Sequence, residues 1–167
     1  MSGPVSPSEP GEPDFSHVDA RGAARMVDVS GKEVSVRTAT ATGRVVVSAT
    51  VVALLLGEGV PKGDALAVAR IAGIQAAKRT PDLVPLCHPI AIHGVEVDLQ
   101  VNENDVAIRA VVRTADRTGV EMEALTVVSV AALALVDMVK AVDPGAVITD
   151  VRVEEKTGGK TGVWRRA

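Results

Sequence analysis

Four ionisable residues stand in one of the most apolar stretches of this chain. The run GVEMEALTVVSVAALALVDMVKAV, residues 119–142, reads as a long helix with Glu121 and Glu123 in its first turn and Asp137 and Lys140 near its end. Carboxylates in a first turn meet the helix dipole favourably, by roughly 0.3–1 kcal/mol each. Asp137 and Lys140, three residues apart, suit an intrahelical pair worth about 0.2–0.5 kcal/mol. The same residue types also compose an acid–base pair, a carboxylate beside an amine. Glu123 and Asp137 are 14 residues apart. On a straight helix this places them within about 40° of one face and roughly 21 Å apart along the axis, with Glu121 nearly opposite. One copy of such a helix cannot bring both ends to one small ligand, but two antiparallel copies can. The helix is apolar all round, which favours burial against more than one neighbour.

Three other stretches carry chemistry. In VPKGDA, Lys62 precedes a helix start in a Pro/Gly-framed loop. There it is either a solvated loop lysine or a cation that meets an anionic ligand beside free helix amides. In LCHPIAIH, Cys87, His88 and His93 invite a metal reading, but the spacing matches no standard zinc pattern. A lone cysteine is commonly a packing residue, while His88 suits hydrogen bonding or proton transfer near neutral pH. In EKTGGKTG, residues 155–162, the GKT run resembles the end of a phosphate loop, yet Glu154 occupies the position of its first glycine. The stretch reads as a mobile glycine loop carrying Lys156 and Lys160, with either a frayed terminus or phosphate contact as its role. No Ser-His-Asp triad, GxSxG elbow or GxGxxG fingerprint is present.

The elements that must position these groups follow from periodicity and punctuation. Residues 1–13 hold four of the nine prolines and read as a disordered tail, leaving 14–167 as one domain. Glu33 to Ser48 is rich in Val and Thr and predicts a long or bent strand, or a hairpin broken at Thr42-Gly43. Ser48 caps a short helix through Leu56, and Asp64 caps a second one, ALAVARIAGIQAAKR, ended by Pro81. Gly73 in that helix permits close packing. LVPLCHPIAI is a loop because of its prolines. Gly94–Val101 and Val106–Arg113 alternate as a hairpin. Val147–Val153 is the last strand. The order β, α, α, β, β, α, β predicts an α+β fold: a ferredoxin-like antiparallel sheet with helices packed on one face, plus an added helix.

Composition excludes several functions. The chain has 167 residues, 47% of them hydrophobic, and a net charge of −3. Weak acidity argues against nucleic-acid binding, and so does the near absence of aromatic stacking platforms, Phe15 and Trp164 alone. One cysteine forbids an intrachain disulfide and fits a cytoplasmic setting. The start shows no secretory pattern, and the longest unbroken apolar run, Val130–Val136, is far short of the ~20 residues that cross a bilayer.

Taken together, FSHVDARGAARMVDVSGK, KGDALAVARIAGIQAAKRTPDLVPLCHPI, TGVEMEALTVVSVAALALVDMVKAV and KTGGKTG resemble the cyclic pyranopterin monophosphate synthase family, also called molybdenum cofactor biosynthesis protein C. The resemblance runs from about Phe15 to Gly162. It implies a homo-hexamer, a trimer of dimers, with active sites at dimer interfaces and no metal or organic cofactor. It implies a lyase of the molybdenum cofactor pathway that acts on 3′,8-cyclo-7,8-dihydroguanosine 5′-triphosphate. It implies Asp137, Lys140 and Lys62 as catalytic residues. Arg37, His88, Glu121, Met122, Glu123, Lys156 and Lys160 are then expected to bind substrate. The fold by itself also admits a ligand sensor or an oligomeric scaffold.

Overall fold

The computed structural model describes residues 15–57 and 64–167. The expected tail and Lys62 lie outside the described residues. The elements run β1 (Ser35–Val46), α1 (Ala49–Leu56), α2 (Ala65–Ala77), α3 (Thr80–Leu83), β2 (Gly94–Val101), β3 (Asp105–Asp116), α4 (Glu121–Val139), β4 (Val147–Thr157) and β5 (Trp164–Arg165). The sheet is antiparallel in the order β2-β3-β1-β4-β5. Its first four strands have the ferredoxin-like arrangement, with β5 as an extra edge.

β1 is one strand, not a hairpin. Alternation sends Ala39, Ala41, Gly43 and Val45 to the helical layer and Thr38, Thr40, Thr42 and Arg44 to the other face. Its pairing with β4 is interrupted between Thr40 and Ala41 and again between Thr42 and Arg44. Asp150, opposite the second interruption, takes φ +55°, a conformation that bends β4. Gly43 sits there because α4 crosses it: an added Cβ would lie 2.6 Å from Val128 Cγ1.

Ser48 and Asp64 cap α1 and α2 as their side chains predict, accepting from the Val51 and Ala67 amides. Thr80 and Pro81 correct the sequence reading. α2 stops at Ala77, and Pro81 does not end it but opens the short α3, where a fixed φ and a missing N–H cost nothing. The glycine loop expected over 155–162 is corrected too. Glu155, Lys156 and Thr157 belong to β4, and the chain turns back at Gly158 and Gly159 to form β5, with Lys156 opposite Trp164. Polar residues hide this strand from hydrophobic periodicity; backbone pairing with β1 makes it.

α4 is the core helix. By length and composition it is apolar enough to cross a membrane, yet 56% of that apolar window is buried inside the fold. Ala124, Val127, Val128, Ala131 and Leu135 are fully buried between the sheet and α2. The helices touch at Gly73, where an added Cβ would lie 3.0 Å from the Val127 carbonyl oxygen and 3.1 Å from its Cγ1. Gly73→Leu is therefore expected to lower the free energy of unfolding by about 1–3 kcal/mol through overpacking, measured by denaturant titration against wild type.

Candidate active site

The N-terminal end of α4 opens onto two adjoining recesses, and a third borders them along β1 and the glycine turn. The largest, about 800 Å³, is walled by the 84–88 loop, by Glu121 and Met122, and by the strap that leads into β1. Two bonds tie that strap down. His88 Nε2–H donates to the Val27 carbonyl at 2.6 Å, and Arg117 Nε–H donates to the Lys32 carbonyl at 2.9 Å. A smaller recess of about 170 Å³ shares Lys32, Thr118 and Glu121 with the first and adds Arg37 and Lys156. The third, about 540 Å³, holds Lys32, Arg37 and Lys160.

The structure brings together seven of the sequence-predicted residues. Arg37 comes from β1. Its Nε and Nη2 donate to the carbonyls of Asp116 and Arg117 at 3.0 and 3.2 Å. Gly158 and Gly159, both at positive φ, close over its side chain; a Cβ on Gly159 would lie 2.3 Å from Nη1. The guanidinium is thus held in place before any ligand arrives. Lys156 from β4 pairs with Glu121 at 2.8 Å, so the helix end, the sheet and the cation meet. Lys160 stands exposed beyond the glycine turn, and Met122 lines the large cavity.

Glu123 differs from its neighbours. It is only 1% exposed, and its Oε1 accepts from the Cys87 thiol at 3.5 Å. Its Oε2 is buried with no hydrogen-bond partner among the described residues. Burial pushes the Glu123 carboxyl above the ordinary glutamate range, and the nearby Glu121 charge adds to that.

Asp137 and Lys140 lie at the other end of α4. The helix is continuous from Glu121 to Val139, so the separation inferred from sequence stands. Their side chains are 59% and 58% exposed and form an ion pair at 2.5 Å. The desolvation that would tune this lysine for proton transfer is therefore not supplied within one protomer.

The sequence profile of the MoaC family matches residues 26–159. A cyclic pyranopterin monophosphate synthase of Streptomyces avermitilis is 68% identical over 97% of this chain and 95% of its own length. One from a Nocardioides species is 72% identical over 91% and 95%. The cyclic pyranopterin monophosphate synthase 2 of Mycobacterium tuberculosis is 61% identical over 92% of each. The chain belongs to the MoaC family. The recesses around α4 are accordingly those of a family whose named members are enzymes.

Sequence reasoning missed two residues of the candidate site. Lys32 lines all three recesses. Its only sequence signal was its place in the VDVSGK motif, because an irregular strap has no period to read. Cys87, read as a packing residue, instead joins the cavity wall to Glu123. His93 serves the scaffold: its Nδ1 accepts from the Ala115 amide at 3.3 Å.

The raised Glu123 group links stability to pH with a definite sign. A carboxyl whose folded pKa lies above its unfolded value of 4.5 favours folding below that pH and loses that contribution as pH rises through the folded value. Glu123→Gln should therefore gain in melting temperature relative to wild type as pH rises above 4.5. The difference should shrink below it, as thermal melts across pH would show.

Proposed function

We propose that this chain is a cyclic pyranopterin monophosphate synthase. It converts (8S)-3′,8-cyclo-7,8-dihydroguanosine 5′-triphosphate to cyclic pyranopterin monophosphate and diphosphate, a phosphorus–oxygen lyase step of molybdenum cofactor biosynthesis. The observation that carries this reading is a cavity of about 800 Å³ contiguous with a recess lined by Lys32, Arg37 and Lys156, in a chain whose overall charge is negative. Family membership and the relatives' names agree with it.

In this reading the triphosphate lies along Arg37, Lys156, Lys160 and Lys32, whose cations concentrate an anion locally. The guanine-derived ring enters the large cavity, where His88, Glu121, Met122 and Glu123 hold it by hydrogen bonds and contact in place of aromatic stacking. A sugar hydroxyl attacks the α-phosphorus, its proton passes to a base, and the bond to diphosphate breaks. The cations stabilise the charge that develops on the leaving oxygens. Asp137 and Lys140 exchange the protons of ring rearrangement and cyclisation, with Lys62 assisting.

The two ends of α4 are too far apart to serve one ligand in one protomer. Each site therefore takes Asp137 and Lys140 from a partner subunit, and their burial in that interface provides the missing desolvation. The assembly is a homo-hexamer, a trimer of dimers. Residues 14–167 act as a single catalytic domain in the cytoplasm.

Purified protein given the cyclic dihydroguanosine triphosphate should release diphosphate, and Lys140→Ala should abolish that release while circular dichroism and oligomer size stay unchanged. Silence from folded wild-type protein overturns the reading. Shared sites have their own test. Glu121→Ala and Lys140→Ala subunits, inactive alone, should regain about a quarter of wild-type turnover when mixed statistically in dimers, because half the dimers are mixed and each has one intact site. No recovery after confirmed subunit exchange excludes sites built from two chains.

A further inference from the structure

Glu121 is the first residue of α4, and its Oε1 accepts from Lys156 Nζ at 2.8 Å. Both residues line the small recess, and Glu121 lines the large cavity as well. The carboxylate lies back over Gly119, two residues earlier. A Cβ on Gly119 would overlap Oε2 and stand 2.8 Å from Cδ and 3.0 Å from Oε1. Only glycine leaves that space open while the carboxylate occupies it. Gly119 itself lines both the cavity and the recess. Its φ is not positive, so the chain path does not demand a glycine there. What the residue supplies is room.

We propose that Gly119 is a positioning residue that acts through Glu121 and Lys156. Its missing side chain is the seat of the Glu121 carboxylate, and the seated carboxylate holds the Lys156 ammonium at the boundary between cavity and recess. The proposal rests on the functional reading above and deepens it: that boundary is where the site for the ring passes into the site for the phosphates. A methyl group at 119 meets the far end of a flexible side chain, which can swing away at little cost to the fold. Gly119→Ala therefore moves the carboxylate and releases the lysine without removing either charge.

The seat can be tested without substrate. Reductive methylation with formaldehyde and borohydride, followed by peptide mass spectrometry, gives the reactivity of Lys156 relative to the exposed Lys160. Gly119→Ala should raise it by about twofold to fivefold, the size of one lost ion pair near the surface. Glu121→Ala should raise it to a similar degree. In the Glu121→Ala background the Gly119→Ala change should add nothing, because there is no carboxylate left to displace. A Lys156 reactivity unmoved by Gly119→Ala overturns the proposal, and so does a rise of equal size with and without Glu121. Circular dichroism and thermal melts of the same samples establish that each variant is folded.

The functional consequence is read as a split between KM and kcat. Gly119→Ala should raise KM by about tenfold and leave kcat within about threefold of wild type, the pattern of lost binding contacts. An unchanged KM would overturn the positioning role. A methyl group that merely obstructed the ligand would raise KM but leave Lys156 labelling at the wild-type rate, which also counts against the proposal. An inactive wild type would sink the functional reading instead, while the labelling result still judges the seat of Glu121.

Discussion

The close approach of α4 to the sheet and to α2 governs this structure. It is possible because glycines stand where backbones cross: Gly43 beneath Val128 and Gly73 against Val127. With no aromatic residue in the core, packing density comes from Val and Ala in short, stiff contacts. A helix gripped on two sides this way stays straight. Straightness in turn fixes the distance between its acidic start and its Asp–Lys end.

Charge is managed locally. The chain carries more acidic than basic side chains, yet cations from β1, β4, the strap and the glycine turn converge at one end of the helix. Their placement costs little on arrival of an anion. Arg37 is held beforehand by two carbonyls and enclosed by Gly158 and Gly159, and Lys156 is aligned by Glu121. Such preorganisation reduces the ordering that binding would otherwise demand.

Much of the fold was legible because its signals are local. Ser48 and Asp64 announce their helices through capping chemistry, β2 alternates cleanly, and the small residues of α2 foretold a close crossing. What escaped notice depends on partners remote in sequence. The polar end of β4 is a strand because β1 offers a ladder, and β5 exists because a diglycine turn returns the chain to that edge. The same division runs through the site. Glutamates and lysines in marked motifs could be named in advance, but Lys32 and Cys87 gained meaning only when the strap and the 84–88 loop met around α4.

The bond from His88 to Val27 does more than fasten a strap. With the Nε2 hydrogen committed to a carbonyl, the neutral imidazole retains a lone pair on Nδ1 and no hydrogen there. A structural tether thereby decides which nitrogen of the neutral ring is left to accept a hydrogen bond at the cavity wall.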